Sequence, residues 1–242
     1  MAERGARRRA RLDRARLYVV SDARERTGDL APFLDSILDA GVDIVQLREK
    51  DAEAGDLLRW GERFREAADR HGALFVVNDR PDVALALGAD GVHLGQNDLP
   101  APVARSIVGP DALIGVSCHS SEDHAAAPAE ADYLTAGPVW PTPTKPGRPG
   151  TGTELVRSAA ATLDRPWFAI GGIDASTVSE VARAGASRIV VVRAVTEATD
   201  PAGAVRALLD ALPATADPAT ADPVTADPVQ TSSVQGVSAW RP

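Results

Sequence analysis

The sequence predicts an α/β fold, a single-domain (β/α)8 TIM barrel followed by a disordered C-terminal tail. Three observations predict it. Eight short apolar or β-branched runs recur along the chain, amphipathic segments separate them, and 242 residues is a common length for one such barrel.

The runs are residues 17–20, 43–47, 74–77, 91–94, 113–116, 133–136, 167–170 and 188–192. Their near-continuous apolar character is that of strands covered on both faces, as in a parallel sheet. The first run stops at Ser21-Asp22 and is followed by an amphipathic helical segment over 30–40. The second leads through Gln46-Leu-Arg-Glu-Lys50 to a helix over 57–70. The third ends in Asn78-Asp79 before the helical stretch 81–87, and the fourth runs through Gly95-Gln-Asn-Asp98 to a helix over 101–108. The fifth closes on Ser117-Cys-His119. The unit after it is the weakest, because a helix within 120–130 would have to accommodate Pro128. The sixth run enters a Pro-rich loop, Gly137-Pro-Val-Trp-Pro-Thr-Pro-Thr-Lys145, and the seventh enters Gly171-Gly172 before a helix over 178–184. The eighth reaches Arg193, and a last helix covers 203–212. Strand and helix alternating eight times indicate closure into a barrel rather than an open sheet.

The barrel domain is therefore 17–212. Residues 1–16 form an Arg-rich N-terminal arm, in which seven arginines face only Glu3 and Asp13, and a disordered start is expected there. Residues 213–242 carry Ala-Thr-Ala-Asp-Pro repeats, which have no apolar periodicity with which to build a core, and read as a disordered tail. The net charge is −8, and the body outside the basic arm is strongly acidic, which argues against a nucleic-acid surface. Neither a bilayer-spanning run nor a signal-peptide apolar stretch is present, so no membrane partner is expected. One cysteine, Cys118, excludes an internal disulfide and a cysteine metal cluster and fits a reducing cytoplasm.

Only two lysines, Lys50 and Lys145, stand among 26 basic residues, and both follow predicted strands. A compact ammonium just past a strand end suits phosphate, although ordinary surface lysines are the plainer reading. Gln46, Arg48 and Lys50 are spaced by two, so all three face one way, where two cations and an amide need an anion. Ion pairs with Glu49 or Asp51 are the alternative, but those acids have the opposite parity. Asp79 and Asp98 end successive strands and should meet at the mouth. Together they could act as an acid/base pair or hold a hard cation; beside Arg48, Lys50 and Lys145, Mg²⁺ shared with a pyrophosphate is favoured. Each could instead cap a helix. Gly171-Gly172, with the end of the eighth strand, matches the phosphate cradle of such barrels. Cys118 and His119 are adjacent on an extended segment and diverge, His93 reads as a barrel-interior residue, and His71 and His124 read as surface residues. No poised nucleophile or base emerges.

Seven motifs, Leu17-Tyr-Val-Val-Ser-Asp22, Gln46-Leu-Arg-Glu-Lys50, Val77-Asn-Asp79, Asp90-Gly-Val-His-Leu-Gly-Gln-Asn-Asp98, Gly115-Val-Ser-Cys-His119, Gly137-Pro-Val-Trp-Pro-Thr-Pro-Thr-Lys145 and Ala169-Ile-Gly-Gly-Ile173, together resemble those of the thiamine-phosphate synthases, in order across every strand from Leu17 to Ala194. The resemblance implies a transferase that joins 4-amino-5-hydroxymethyl-2-methylpyrimidine diphosphate to a thiazole phosphate, giving thiamine phosphate and pyrophosphate. It implies that the segment Gln46, Leu47, Arg48, Glu49 and Lys50, with Asn78, Ser117 and Lys145, binds the pyrimidine diphosphate, and that Arg48, Lys50, Ser117 and Lys145 serve catalysis. It places Mg²⁺ on Asp79 and Asp98, and the thiazole phosphate on Thr142, Pro143, Thr144, Gly172, Val192 and Arg193. Some members have serine where Arg193 stands, so this arginine either grips phosphate through its fork or turns outward and leaves the backbone to do so. In the family, pyrophosphate departs before the thiazole nitrogen attacks. The rival readings are a thiazole tautomerase-like isomerase on a similar barrel and a non-catalytic sensor of a phosphate ligand.

Overall fold

Strands that bury both faces must leave no open edge, and eight parallel strands achieve this by closing on themselves. A computed structural model of the chain describes residues 2–142 and 150–213. Its strands are β1 (Leu17–Ser21), β2 (Ile44–Leu47), β3 (Leu74–Asn78), β4 (Gly91–Leu94), β5 (Leu113–Cys118), β6 (Tyr133–Ala136), β7 (Trp167–Ile170) and β8 (Ile189–Val191). They pair in that order, all parallel, and β8 returns to β1. The helices are α1 (Ala2–Arg14), α2 (Leu30–Asp39), α3 (Ala54–His71), α4 (Pro81–Ala86), α5 (Ala101–Val108), α6 (Ser121–Ala125), α7 (Glu154–Thr162), α8 (Val178–Arg183), α9 (Arg193–Thr196) and α10 (Pro201–Ala211). The expected barrel is present. In the weak unit, α6 ends before Pro128, which resolves the conflict between helix and proline. Among the described residues, no helix is long and apolar enough to cross a membrane.

The two-residue strand period separates two cores. Outward residues such as Val45, Leu47, Phe75 and Val77 pack under the helices. Inward residues Tyr18, Val20, Ile44, Leu74, Val76, Leu113, Tyr133, Phe168 and Val190 fill the lumen. Tyr133 needs Gly115 beside it, since a Cβ there would lie 2.1 Å from the Tyr133 Cζ.

The N-terminal arm is a correction: it is α1, a helix that plugs the lower end of the barrel. Leu12 and Ala15, each 1% exposed, join the inner core against Tyr18 and Ile44. Burying that leucine is worth about 2 kcal/mol. Two of the helix's arginines are paired with acids of the barrel. Arg8 Nε donates to Asp90 at 2.8 Å and Arg9 Nε to Asp132 at 2.8 Å, on acids more than 80 residues away. Residues 214–242, nearly all of the expected tail, lie outside the described residues.

The same acids clip the strands. Asp43, Asp90 and Asp132 immediately precede β2, β4 and β6. Each carboxylate accepts a backbone N–H from the strand before it, from Leu17 at 3.0 Å, Phe75 at 2.9 Å and Ile114 at 2.8 Å. Each aspartate N–H donates back to the carbonyl of that same residue. Burial alone would raise the Asp90 carboxyl, but the Arg65 guanidinium, the Phe75 N–H and Arg8 hold it below the ordinary carboxylate range. Asp90→Ala should therefore destabilise the barrel by about 3 kcal/mol, because it removes the carboxylate that Arg8, Arg65 and the Phe75 N–H share. Urea unfolding checks this; a loss below about 1 kcal/mol would show that the clip is dispensable.

Candidate active site

The strand period decides what reaches the open end. Gln46, Arg48 and Lys50 alternate inward from β2 and line one cavity of 100 Å³ with Asn78, Asp79, Asp98 and Ser117. Gln46 is buried, Arg48 half-buried and Lys50 exposed, so charge grows toward the mouth. The Gln46 amide donates to the Tyr18 hydroxyl, which in turn lies 3.2 Å from the Tyr133 hydroxyl. The Ser117 Oγ is 3.0 Å from His93 Nε2, and the His93 ring stacks on Tyr133 with centroids 5.7 Å apart. His93 is thus the interior residue expected of it.

The side chains of Leu47 and Glu49 have the opposite parity and are not among the residues that line this cavity. Leu47 is buried in the outer core. The Glu49 carboxylate accepts the Ala23 N–H at 3.0 Å and so closes the loop after β1. Among the described residues, no ion pair joins Glu49 or Asp51 to Arg48 or Lys50, so those two cations remain directed at the cavity.

Asp79 and Asp98 meet as expected. Asp79 has φ 61°, in the left-handed region where a side chain costs of order 1 kcal/mol or more, and its N–H donates to the His93 carbonyl at 2.8 Å. The Asp79 carboxyl is pushed up from 3.8 to about 6, first by burial and then by the hydrogen bond and charge of Asp98, with Lys50 and Arg48 opposing. Asp98 Oδ2 accepts the Gly95 N–H at 2.7 Å. Neither aspartate caps a helix: the N-cap residues of α4 and α5 are Arg80 and Pro100. Among the described residues, no group of three or more His, Cys, Asp or Glu side chains gathers into a metal cage. Two carboxylates suit Mg²⁺, which keeps several waters and substrate oxygens.

A second cavity of 260 Å³ adjoins the first and shares with it the wall Ile170, Val190 and Val192. Thr142, Gly171, Gly172, Arg193 and His119 also line it. Gly171 and Gly172 have φ 104° and 69°, and a Cβ on them would fall 2.5 Å from Pro138 Cβ and 2.7 Å from Trp140 Cβ. Glycine is therefore required here both for the conformation and for the close approach. Arg193 is exposed at the rim and opens α9. Pro143, Thr144 and Lys145 lie outside the described residues.

Sequence reasoning missed His119 as a cavity residue, having weighed it only as a partner for Cys118. Cys118 is buried outside the lumen, and burial pushes its thiol up to about 12. His124 is a second correction: it is buried in α6, which packs on β5 and α7, rather than on the surface. His71 is half-buried between Asp35 and Asp39, each 3.0 Å away.

The sequence model of the family described as Thiamine monophosphate synthase matches residues 17–195. The chain is 56% identical over 211 residues to a thiamine-phosphate synthase of Acidothermus cellulolyticus, covering 86% of this chain and 100% of the relative. It is 58% identical over 199 residues to one from Streptomyces avermitilis, covering 81% and 93%. The structure is similar to that of a thiamine phosphate pyrophosphorylase from Pyrococcus furiosus, with TM-score 0.74, 35% identity, and coverage of 83% and 96%.

The carboxylate pair has a measurable signature. Because Asp79 binds its proton more tightly in the fold, folded protein holds more protons than unfolded chain between pH 3.8 and about 6. Its contribution is complete at the acidic end and lost as pH rises through that window. In metal-free protein, Asp79→Asn should gain stability relative to the wild type as pH rises across the window and stay level above it. Urea titrations at a series of pH values check this, and a pH-independent difference would separate Asp79 from Asp98.

Proposed function

Because this chain belongs to the Thiamine monophosphate synthase family, we propose that its two adjoining cavities divide the two substrates of thiamine phosphate synthesis between them. The reaction joins 4-amino-5-hydroxymethyl-2-methylpyrimidine diphosphate to a thiazole phosphate and releases pyrophosphate. The observation that carries the division is one cavity with two cations and two carboxylates opening onto another walled by apolar residues and a Gly-Gly turn.

The pyrimidine diphosphate takes the first cavity. Gln46 and Asn78 present amides to the ring, and Ser117, oriented by His93, adds a hydroxyl. Arg48, Lys50 and, from outside the described residues, Lys145 receive the diphosphate. As the bond between the pyrimidine methylene carbon and the diphosphate oxygen breaks, the electron pair moves onto that oxygen. Fixed cations oppose this growing charge and so stabilise the transition state more than the ground state. The thiazole nitrogen then forms the new C–N bond with its own lone pair, so no protein nucleophile is required. The thiazole phosphate sits in the second cavity, its ring against Ile170 and Val190. Its phosphate lies at the backbone of Gly172, Val192 and Arg193, beside Thr142 and, outside the described residues, Pro143 and Thr144.

Asp79 and Asp98 would hold Mg²⁺. The raised proton affinity of Asp79 fits this role, since two half-buried carboxylates together carry charge that a divalent cation offsets. Bound there, Mg²⁺ supplies charge neutralisation for the diphosphate. A tautomerase reading leaves the Arg48, Lys50, Asp79 and Asp98 cluster without a task, and a sensor reading leaves the acidic pair without one.

Coupling of the two purified substrates, with and without Mg²⁺, tests the reading. Asp79→Asn and Asp98→Asn should each raise the Mg²⁺ needed for half-maximal rate and depress turnover, and unchanged Mg²⁺ curves in both would refute the metal site. Lys50→Ala should lower turnover about 10²-fold, the scale for loss of one preorganised charge on a leaving group, with little change in the unfolding midpoint. Near-normal turnover would take Lys50 out of the reaction.

A further inference from the structure

His119 is not needed as a base, yet it is built into the lining of the second cavity. It follows β5, one residue past Cys118, and its backbone N–H donates to Asp123 at 2.7 Å. Its ring Nδ1 lies 2.6 Å from the Gly137 carbonyl oxygen. A carbonyl only accepts, so Nδ1 carries the proton and is the donor. Gly137 is buried at the start of the loop after β6, and that loop lies directly on the glycine turn after β7. Val139 N–H donates to the Ile170 carbonyl at 2.8 Å, and Trp140 N–H to the Gly171 carbonyl at 3.0 Å. A Cβ on Gly137 would fall 2.1 Å from the Ile170 oxygen, so the two segments are in contact with no slack.

We propose that His119 is a positioning residue for the thiazole phosphate: its Nδ1–H fixes the Gly137 carbonyl, and through residues 137–140 it sets the Gly171-Gly172 turn that cradles the ligand. The proposal rests on the assignment of the second cavity to thiazole phosphate. It assigns His119 no proton transfer. The donor at issue is on the ring nitrogen nearest Cβ, which faces the Gly137 carbonyl. Asparagine places an N–H donor close to that position, whereas glutamine places it near Nε2, and alanine offers none.

The test compares His119→Asn, His119→Gln and His119→Ala in coupling kinetics, alongside titration calorimetry of thiazole phosphate binding to each protein. His119→Gln and His119→Ala should raise the KM and Kd for thiazole phosphate roughly tenfold, the scale for leaving one buried carbonyl unpaired. The KM for the pyrimidine diphosphate should stay at the wild-type value, and His119→Asn should restore thiazole phosphate affinity to within about twofold. Thermal melts identify any variant that fails to fold, and the Asn and Gln pair, which differ only in where the donor sits, then carries the comparison. Loss of turnover in His119→Asn equal to that in His119→Ala, with thiazole affinity intact, would overturn positioning in favour of proton transfer. Unchanged affinity in all three variants, or equal loss for both substrates, would also overturn it. Failure of the wild type to couple, while it binds thiazole phosphate with the Asn-rescue pattern, would sink the proposed reaction and leave this inference standing.

Discussion

Every second residue of a closed parallel barrel must point into a lumen that water cannot fill, and this parity constraint organises the rest of the molecule. In the lower lumen it admits only apolar and aromatic side chains, so Ile44, Leu74, Leu113 and Phe168 occupy it with Leu12 beneath. One turn of the period further up β2, the same parity carries Gln46, then Arg48, then Lys50 to the mouth. The gradient from hydrocarbon through amide to full charge follows the rising access to water and ligand. A one-residue slip of β2 would turn Glu49 toward the mouth in place of Arg48 and move Ile44 from the lumen to the face under the helices, so register and chemistry are fixed together.

The two ends of the barrel use opposite electrostatic arrangements. At the lower end two of the three clipping acids are matched by arginine: Asp90 by Arg8 and Arg65, Asp132 by Arg9 and Arg105. Each of these two carboxylates also accepts a backbone N–H from the strand before it. Two positions differ: Asp43 before β2 accepts the Arg16 and Leu17 N–H groups, and Arg188 stands before β8, where its guanidinium reaches the Asp13 carbonyl at the end of α1. At the upper end, among the described residues, Asp79, Asp98, Arg48 and Lys50 form no ion pair with one another. Asp79 and Asp98 repel one another, and Arg48 and Lys50 lower that cost without forming ion pairs with them. Strain is concentrated there too, in the left-handed backbone of Asp79. A site that binds a highly charged ligand and a cation is poised in this way, with its compensation arriving on binding.

Much of the site was legible because it follows from spacing along single strands. The Gln46, Arg48 and Lys50 alternation and the ends of neighbouring strands at Asp79 and Asp98 needed only a period of two and a strand order. Leu47 and Glu49 entered with the family resemblance, against a parity that spacing had already set for Glu49. The motif around Arg48 drew in Leu47 and Glu49, whose parity sends one to the outer core and the other to the Ala23 N–H. His119 was overlooked because its partner, the Gly137 carbonyl, is a backbone atom in the loop after β6, and backbone acceptors leave no mark in a sequence. His124 was misplaced because α6, five residues long, is too short to show a face.

By itself the sequence determined the barrel, the order and limits of its strands, the mouth as the place of chemistry, and the cation and carboxylate set that gathers there. These rest on local periodicity and on the near-fixed handedness of β-α-β connections, which leave little freedom once eight units are counted. Only the tertiary structure decided the role of the first sixteen residues. Their arginines look solvated in one dimension, but their partners Asp90 and Asp132 are distant in sequence and adjacent in space, and the few apolar residues among them, such as Leu12, suffice to plug a lumen already closed by the strands. It likewise decided how the two cavities share a wall, because Ile170, Val190 and Val192 meet across strands whose relation exists only after the barrel has closed.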